Sequence, residues 1–514
     1  MTQLKKLPIG IQTFRDIREE NYIYVDKTDL MAKLIESGKY YFLARPRRFG
    51  KSLLVSTLQA LFEGLKELFH GLAIYDQWDW STSYPVIKIS FGGVARDLAD
   101  MKQDVINILE ENQRRLDITC PRPDDIGGCF KYLIMEAHKK FGQKVVILVD
   151  EYDKLIVDNL DQVEVAKQGR EVLKDLYATI KDSDEYLKFA LLTGVSKFSK
   201  VSIFSGLNNL KDISLDPRYG SLCGYTQNDL ETVFADHLQG ADMAKVRQWY
   251  NGYNFLGEPV YNPFDILLFI DSGHIFDNYW FGTGTPTFLI KLIQQNNYFI
   301  PKLDNLSVDS RLIDSYDIER IELEPILFQA GYLTIRQRKE SRRGGIEYLL
   351  GLPNKEVQLS FNDVLIDYFT DQAVERVRYQ DQLYDLLERG DVAALESFFL
   401  TLFAAIPYNN YVNNTISNYE GYYASVVYAY LASLGIGMVA EDVTNKGRID
   451  LTVKLGEHIY IIEFKVDGEG RALEQIKLKN YQQKYQNEEK TIYLVGIDFN
   501  SQEKNLTGFE WERV

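Results

Sequence analysis

Two charged residues, Glu463 and Lys465, interrupt the otherwise apolar sequence Tyr-Ile-Ile-Glu-Phe-Lys-Val with one residue between them. Such a run is typical of a buried β-strand, in which alternate side chains point to the same face of the sheet. The carboxylate and the ammonium group are therefore predicted to lie side by side. A carboxylate can bind a hard divalent cation, and a nearby lysine can orient or deprotonate an attacking water molecule.

An upstream run, Asp450–Leu455, is predicted to pair with this strand, because Gly456 suits the first central position of a two-residue hairpin turn. Counting back from the turn places Asp450 directly opposite Glu463. Facing carboxylates destabilise a sheet unless a cation lies between them. We therefore predict a metal site formed by Asp450, Glu463 and the backbone carbonyl of Phe464, which would hold Mg²⁺ or Mn²⁺.

Two further polar residues lie in predicted helices near these strands. Glu420 begins the helical stretch Tyr419–Leu434, and Gln475 lies in another, Arg471–Tyr485. The predicted element order is helix, strand, strand, strand, helix, strand. Its first and last strands are Gly437–Val443 and Thr491–Asp498.

A plainer interpretation of the charged pair stays open. Glu463 and Lys465 would then form the exposed face of an edge strand, in salt bridges with Arg448 and Asp450. The run Ile459–Ile462 argues against this, because it is apolar at every position, as in a strand that is buried on both faces.

A second motif follows the apolar run Tyr40–Ala44, which leads into Arg45-Pro46-Arg47-Arg48-Phe49-Gly50-Lys51-Ser52 and a helix that begins near Leu53. The ending Gly-Lys-Ser is that of a P-loop, in which backbone amides and a helix N-terminus bind phosphate. Lys51 would reach the terminal phosphates of ATP, and Ser52 would coordinate Mg²⁺. Arg45 replaces the first glycine of the usual pattern, so we expect Pro46 to tighten the loop.

Two later apolar runs end in polar residues, as the strands beside a P-loop do. Val145–Val149 ends in Asp150 and Glu151, which is the Walker B arrangement, and Phe189–Leu192 ends at Thr193. Asp150 would hold magnesium through water, Glu151 would polarise the attacking water, and Thr193 would lie beside the γ-phosphate. The alternative is a buried strand with a surface acidic pair and an ordinary turn threonine.

These motifs resemble two families. The C-terminal part is similar to the PD-(D/E)XK nuclease superfamily, with Glu420 like its first-helix acid, Asp450 its central acid, Glu463-Phe464-Lys465 its ExK motif and Gln475 its second-helix glutamine. Most of residues 5–290 resemble the AAA-ATPase-like family. That resemblance rests on Leu7–Gly10, Tyr24–Thr28, the P-loop, Asp150–Asp153, Thr193-Gly194, Phe204–Asn209 and Tyr250–Tyr253.

The resemblance implies ATP as a cofactor, nucleic acid as a partner with DNA preferred to RNA, and contact of residues 9–28 with adenine and ribose. An alternative for Asp26 and Lys27 is a charge pair at a helix start. The resemblance also implies that an arginine from a neighbouring subunit reaches the bound nucleotide. Such a contact would require a homo-oligomer. Candidates for that arginine are Arg48, Arg170 and Arg218.

The chain of 514 residues is long enough for about three domains. We predict an α/β fold with an N-terminal P-loop ATPase parallel sheet at 1–220, a helical lid at 221–288, a winged-helix-like connector at 289–384 and a C-terminal αβββαβ restriction-endonuclease-like domain at 385–514. The wing of the connector would either touch DNA or only join domains, and the sequence favours neither.

The sequence argues against a membrane protein, a secreted protein and a disulfide-rich protein. The apolar run Phe398–Ile406 has about half of the ~18 residues that a membrane helix needs. The N-terminus lacks an apolar signal core, so we expect a cytoplasmic protein with no membrane partner. The three cysteines, Cys120, Cys129 and Cys223, are too few for a disulfide framework, and we expect them to be reduced.

The formal net charge of −16 argues against general binding of polyanions. Contact with nucleic acid must then be local. Candidate basic patches are Arg338–Arg343 and the lysines Lys477, Lys479 and Lys484, although solvated surface faces explain each of them equally well.

The sequence therefore predicts an ATP-dependent or ATP-gated nuclease. Two other functions stay open: a nucleotide-dependent switch whose C-terminal domain binds nucleic acid or a partner without cutting it, and an ATPase that remodels a complex and uses the nuclease-like fold for docking. Loss of cleavage on removal of the Asp450 carboxylate would separate the first prediction from the other two.

Overall fold

A computed structural model of the chain describes residues 4–93, 96–160, 162–197, 209–280, 292–293, 299–310, 313, 322–341, 344–407, 420–468 and 472–514. Contacts divide the chain into two compact units, Met1–Trp280 with Val308–Leu349, and Phe281–Ser307 with Leu350–Val514. Each unit contains one of the two predicted sites. The finer division into four segments stays a prediction.

Five parallel strands form the sheet of the first unit: β1 Tyr40–Ala44, β2 Val86–Ser90, β3 Val145–Asp150, β4 Leu187–Gly194 and β5 Lys211–Asp212. Their order is β2-β3-β4-β1-β5. β3 is buried at every position, as expected of a central strand in a parallel sheet. Because parallel strands share one direction, the ends of β1, β3 and β4 lie at the same edge, where a ligand is expected.

Helices accompany this sheet and contact its strands. The side chains of Asp97 and Asp125 cap the N-termini of two of these helices by accepting hydrogen bonds from backbone amides. Short 3-10 helices occur at Lys66–Phe69, Asp184–Tyr186 and Pro217–Tyr219. The helices are α1 Phe14–Glu19, α2 Thr28–Ser37, α3 Lys51–Phe62, α4 Leu98–Leu116, α5 Ile126–Phe141, α6 Lys154–Val157 and α7 Val163–Asp182.

Residues 221–280 contain three helices and a short two-stranded sheet: α8 Gln227–Thr232, α9 Met243–Tyr250, β6 Asn251–Tyr253, β7 Val260–Tyr261 and α10 Pro263–Asp271. Their role as a lid stays a prediction. α8 is short and ends at Thr232. The chain turns there, and the carbonyl of Phe234 accepts from the amides of His237 and Leu238. This turn buries Phe234 and Leu238 in an apolar cluster that also contains Ile23 and Val25.

The predicted connector is described only in part. It contains a 3-10 helix, Ile300–Asn305, and then β8 Leu306–Asp309, α11 Leu323–Ala330, β9 Thr334–Glu340 and β10 Ile346–Gly351. The three strands form a sheet in the order β8-β10-β9. The helix α11 is followed by β9 and β10, which are neighbours in this sheet. Much of 281–321 lies outside the described residues, so the winged-helix assignment stays a prediction.

The second unit contains five helices among its described residues: α12 Lys355–Thr370, α13 Arg376–Arg389, α14 Val392–Ala404, α15 Glu420–Ser433 and α16 Ala472–Lys479. Its sheet is formed by β11 Gly437–Thr444, β12 Gly447–Leu455, β13 His458–Val466, β14 Thr491–Asn500 and β15 Asn505–Arg513. These strands follow one another in sequence order. Only the β13–β14 pair is parallel.

This order confirms the predicted succession of helices and strands and adds one strand. β15 was not predicted because its outward side chains are polar and Gly508 interrupts its pattern. The predicted helix Arg471–Tyr485 is shorter than expected, since Asn480 adopts a left-handed conformation with φ 51°. The chain continues after it as a 3-10 helix, Tyr481–Tyr485.

The cysteines correct one expectation. Cys120 and Cys129 form a disulfide with Cα atoms 5.4 Å apart, so the prediction that all three cysteines are reduced is wrong for this pair. The first turn of α5 brings Cys129 back over Cys120, a proximity that a spacing of nine residues does not reveal. Cys223 is buried and free.

In the described part of the chain, helices fall short of the length and apolar character needed to cross a membrane.

Candidate functional site

The loop between β1 and α3 adopts left-handed backbone at Arg48, with φ 69°, and at Gly50, with φ 88°. Gly50 precedes the first turn of α3, and no atom lies within 4 Å of the place where its Cβ would stand. The buried Lys51 ammonium donates to the carbonyls of Arg45 and Pro46 at 3.0 Å each. Lys51 therefore closes the loop on itself and uses two of its three N–H donors to do so.

Two predicted residues from neighbouring strands meet at the same sheet edge. Thr193 Oγ1 donates to Asp150 Oδ1 at 2.7 Å, and both side chains are buried. Burial lowers the pKa of Lys51, and among the nearby charges that oppose this shift the carboxylate of Asp150 is first. Glu151 is half-buried and has a left-handed φ of 53°. The structure thus gathers Lys51, Asp150 and Thr193 as the motifs predict, with Ser52 in the first turn of α3.

Asp153 is a buried acid to which the motif analysis gave no role. It accepts hydrogen bonds from the amides of Val195, at 3.1 Å, and Ser196, at 2.6 Å. Burial raises the pKa of Asp153 to about 6. Gly194 makes the contact possible, because a Cβ there would overlap Asp153 and Tyr152. The sequence Asp150-Glu151-Tyr152-Asp153 places this acid close to the Walker B pair. Only the fold shows that its carboxylate holds the backbone directly after β4.

Arg45 takes the place of the usual first glycine, and its side chain points into the protein. Its guanidinium donates to the carbonyls of Ala44 at 2.9 Å, Ser214 at 2.7 Å and Tyr219 at 3.1 Å. It also lies over the ring of Phe255, 3.9 Å from the centroid. The loop is therefore braced by this side chain, whereas sequence reasoning assigned that role to Pro46, which contributes a carbonyl to Lys51.

The segment before β1 is anchored by polar contacts. Asp26 accepts from the amide of Thr28 at 2.9 Å and from that of Ala73 at 2.7 Å. Lys27 forms a largely buried ion pair with Asp229 at 2.6 Å. These partners fit the helix-start interpretation of Asp26, while contact of residues 9–28 with adenine stays a prediction.

The candidate arginines have local partners. Arg48 lies over the ring of Phe264, 4.8 Å from its centroid, Arg170 donates to Glu171 at 3.1 Å, and Arg218 pairs with Asp216. None of these contacts tests a role across a subunit boundary, so that role stays a prediction.

Of the segment Phe204–Asn209, which contributes to the AAA-ATPase-like resemblance, residues Phe204–Asn208 lie outside the described residues.

The hairpin of the second unit has the predicted register. Leu455 pairs with His458 and Leu451 with Ile462, so the next position along places Asp450 opposite Glu463. Gly456 turns the chain with φ 53°. Asp450 Oδ2 accepts from the amide of Phe464 at 2.9 Å, which fixes the carboxylate beside β13.

Glu463 is fully buried and accepts a hydrogen bond from Gln475 Nε2 at 2.7 Å. β13 lies between β12 and β14, and Arg448 pairs with Glu441. The alternative of an exposed edge strand bridged to Arg448 is therefore wrong.

The two carboxyl groups behave as a pair that retains a proton. Burial first, and then the charge of Asp450, raise the pKa of Glu463 to about 9. The pKa of Asp450 is also raised, chiefly by burial. Two neighbouring acids, one fully and one partly buried, repel each other when both are ionised, and a cation between them relieves that repulsion.

The oxygen atoms suit a hard divalent cation. Glu463 Oε1 is buried without a hydrogen-bond partner, and the pair offers carboxylate ligands of the kind that Mg²⁺ and Mn²⁺ prefer. Among the described residues, groups of three or more His, Cys, Asp or Glu arranged to hold a metal are absent. The remaining ligands would be water and the carbonyl predicted for Phe464. The side chain of Glu420, at the start of α15, lies outside the described residues.

The surroundings of the pair include two residues that sequence reasoning missed. Lys465 is in register with Asp498 of β14, which is buried, and Glu463 is in register with Gly496. A Cβ on Gly496 would overlap the backbone nitrogen of Leu473 in α16. The missing side chain lets α16 approach the sheet and so brings Gln475 to Glu463.

The predicted basic patches are partly neutralised. Lys477 pairs with Glu512 and Lys484 with Asp442, whereas Lys479 is exposed. Arg338 is exposed on β9, and Arg342 and Arg343 lie outside the described residues. Nucleic-acid contact at these patches stays a prediction.

Comparison with known proteins agrees with both resemblances. Residues 8–204 match the AAA-ATPase-like family, described as a predicted AAA-ATPase, and residues 418–509 match the PD-(D/E)XK nuclease superfamily. The chain is also 48% identical over 517 residues to a protein of Azotobacter chroococcum mcd 1, described as an uncharacterized protein in the vnfD 5' region. That match covers 99% of both chains.

Proposed function

We propose that this chain, which belongs to the AAA-ATPase-like family and carries a C-terminal PD-(D/E)XK nuclease superfamily domain, binds and hydrolyses ATP and cleaves phosphodiester bonds with a divalent cation. The observation that carries the proposal is the pairing of the partly buried Asp450 on β12 with the fully buried Glu463 on β13, whose alternate residue Lys465 lies on the same face. Two neighbouring acids that repel each other cost stability when no cation is bound, so their presence here supports a metal site.

In the nucleotide-binding unit, Lys51 would bind the terminal phosphates and Ser52 would help to hold Mg²⁺. Asp150 lies within electrostatic reach of Lys51 and would hold the cation through water. Glu151 would polarise the attacking water, and Thr193, already bound to Asp150, would sense the γ-phosphate. The support is that strands β1, β3 and β4 bring these groups to one edge of the sheet.

In the nuclease unit, Asp450 and Glu463 would bind Mg²⁺ or Mn²⁺, which when present supplies charge neutralisation at the phosphate and a more acidic water. Gln475 fixes one oxygen of Glu463 and so aims the other at the site. Lys465, on the same face, would orient the attacking water and accept or stabilise its proton. DNA is the proposed substrate, with the exposed Lys479 and Arg338 among its contacts, and a homo-oligomer and a cytoplasmic location are proposed with it.

A cleavage assay tests this function. The purified protein is incubated with linear, circular and single-stranded DNA and with RNA, with Mg²⁺ or Mn²⁺, and with or without ATP. The same assay is run on Asp450→Asn, Lys51→Ala and the exposed control Glu503→Gln.

We expect metal-dependent DNA cleavage that Asp450→Asn abolishes, Lys51→Ala alters and Glu503→Gln leaves intact. Absence of cleavage from the wild-type protein under every condition would overturn the nuclease proposal. ATP binding in that case would favour a nucleotide-dependent switch or a remodelling ATPase.

A further inference from the structure

Arg45 stands at the position where P-loops usually have glycine, yet it is 1% exposed. Its own backbone conformation is not left-handed, so nothing about φ requires glycine here. The side chain leaves the loop and ends among the segment after β5 and the turn that carries Phe255. A buried cation is costly unless its surroundings are built to receive it.

The partners of Arg45 are neutral. Its hydrogen bonds go to three backbone carbonyls, and its flat face lies on an aromatic ring. Burial lowers the pKa of Arg45 only to about 10, so the group remains charged at neutral pH. No carboxylate accepts a hydrogen bond from this guanidinium in the described part of the chain. A positive charge thus lies beside a loop expected to bind phosphate, and the charges of Cys223 and Asp212 act on it through space and not through a hydrogen bond.

The backbone of Arg45 forms hydrogen bonds at the site, and its side chain forms hydrogen bonds in the interior. Its amide donates to the carbonyl of Gly194 at 3.1 Å, and its carbonyl accepts from Lys51 at 3.0 Å. One residue therefore joins the end of β4, the phosphate-binding lysine and, through its guanidinium, Ser214 and Tyr219.

We propose that Arg45 is a positioning residue for nucleotide binding, which replaces the first glycine of the P-loop with a buried cationic brace and sets the loop for a polyphosphate. This inference rests on the proposed ATP binding. It predicts that Arg45→Gly, which restores the common P-loop sequence, weakens binding. If the first position were an ordinary loop residue, that substitution would be neutral or favourable.

The test measures dissociation constants for a fluorescent ATP analogue and for ADP, with Mg²⁺, on the full chain. The variants are Arg45→Gly, Arg45→Lys, Phe255→Leu and Lys51→Ala. Arg115→Gly is the matched control, because Arg115 also donates to a backbone carbonyl, that of Val86, but lies away from the loop. Circular dichroism and melting temperature without nucleotide show whether each variant folds.

We expect Arg45→Gly to weaken binding by about tenfold or more and Phe255→Leu by less, because the carbonyl contacts remain. Arg45→Lys should rescue part of the affinity, and its affinity should fall as pH rises from about 7 to about 9, since a buried lysine loses its proton more readily than arginine. The control should lose stability only.

Wild-type affinity in a folded Arg45→Gly, with Lys51→Ala still defective, would overturn this inference and leave ATP binding intact. If Arg45→Gly does not fold, a pH-independent Arg45→Lys together with an unaffected Phe255→Leu would overturn it equally. A wild-type protein that binds no nucleotide would instead contradict the proposed function itself.

Discussion

The two sites handle buried charge in opposite ways. At the P-loop, the Lys51 ammonium and the Arg45 guanidinium donate to backbone carbonyls, so both charged groups are held in fixed positions. At the hairpin of the second unit, Asp450 and Glu463 face each other and retain a proton, and one oxygen of Glu463 has no partner. At the first site the positive groups already have acceptors within the protein, whereas at the second site a cation would relieve the repulsion between the two acids. This difference gives each site its own dependence on metal and pH.

The largest expected effect comes from Lys465→Ala, which removes the group proposed to handle the water but leaves both acids. We expect DNA cleavage to fall about a hundredfold or more, whereas ATP binding and stabilisation by Mn²⁺ remain. Initial rates on linear DNA and a melting curve with Mn²⁺ give the two readings. Equal loss of cleavage and of Mn²⁺ stabilisation would mean that Lys465 supports the acid pair rather than the chemistry.

The acid pair of the second unit should make the stability of that unit depend on pH. Glu463 binds its proton more tightly in the folded than in the unfolded chain, so protonation of Glu463 stabilises the folded state when metal is absent. This stabilisation is present below pH 4.5 and is lost as pH rises toward about 9. The free energy of unfolding of the second unit should fall by up to about 1.4 kcal/mol per pH unit in that window. Urea denaturation at several pH values, in a chelating buffer, measures the slope.

Two comparisons isolate the cause of that slope. Glu463→Gln keeps the shape and removes the titration, so the slope should flatten, and saturating Mg²⁺ should flatten it in the wild type. Glu503→Gln, at an exposed position, should leave it unchanged. A slope that persists in Glu463→Gln would assign it to other groups.

A smaller effect is expected from Gly496→Ala. The added methyl group would overlap the backbone of Leu473, so α16 must shift, at a cost of about 1–3 kcal/mol. Gln475 would move with the helix, and metal affinity should weaken as well. Gly92→Ala, where no atom lies within 4 Å of an added Cβ, is the control for the change of residue type. An unchanged melting temperature for Gly496→Ala would show that the helix does not need this close approach.

The part of the fold that local rules determine was predictable from sequence. A two-residue turn at Gly456 fixes the pairing of the strands around it, so counting alone placed Asp450 opposite Glu463. The strand ends at Asp150 and Thr193 followed in the same way from their apolar runs. Each of these depends on neighbours in the chain.

The features that were missed depend on distant segments. Arg45 contacts Ser214 and Tyr219, which lie far along the chain, and nothing near Arg45 signals them. Asp498 lies beside Lys465 only because β14 is the parallel neighbour of β13. The Cys120–Cys129 disulfide is a local exception, because its cysteines are nine residues apart and the chain entering α5 brings them together. The contacts of Arg45 and Asp498 are set by tertiary packing, which spacing and periodicity do not contain.

The most direct measurement locates a cation in the second unit. Crystals of the full chain grown with Mn²⁺ at a pH above neutral would be examined by anomalous diffraction, with Asp450→Asn crystals as the comparison. We expect an anomalous peak between the carboxylates of Asp450 and Glu463 in the wild type and its loss in the variant. Absence of a peak between these carboxyl groups at saturating Mn²⁺ would contradict the metal site and with it the nuclease proposal.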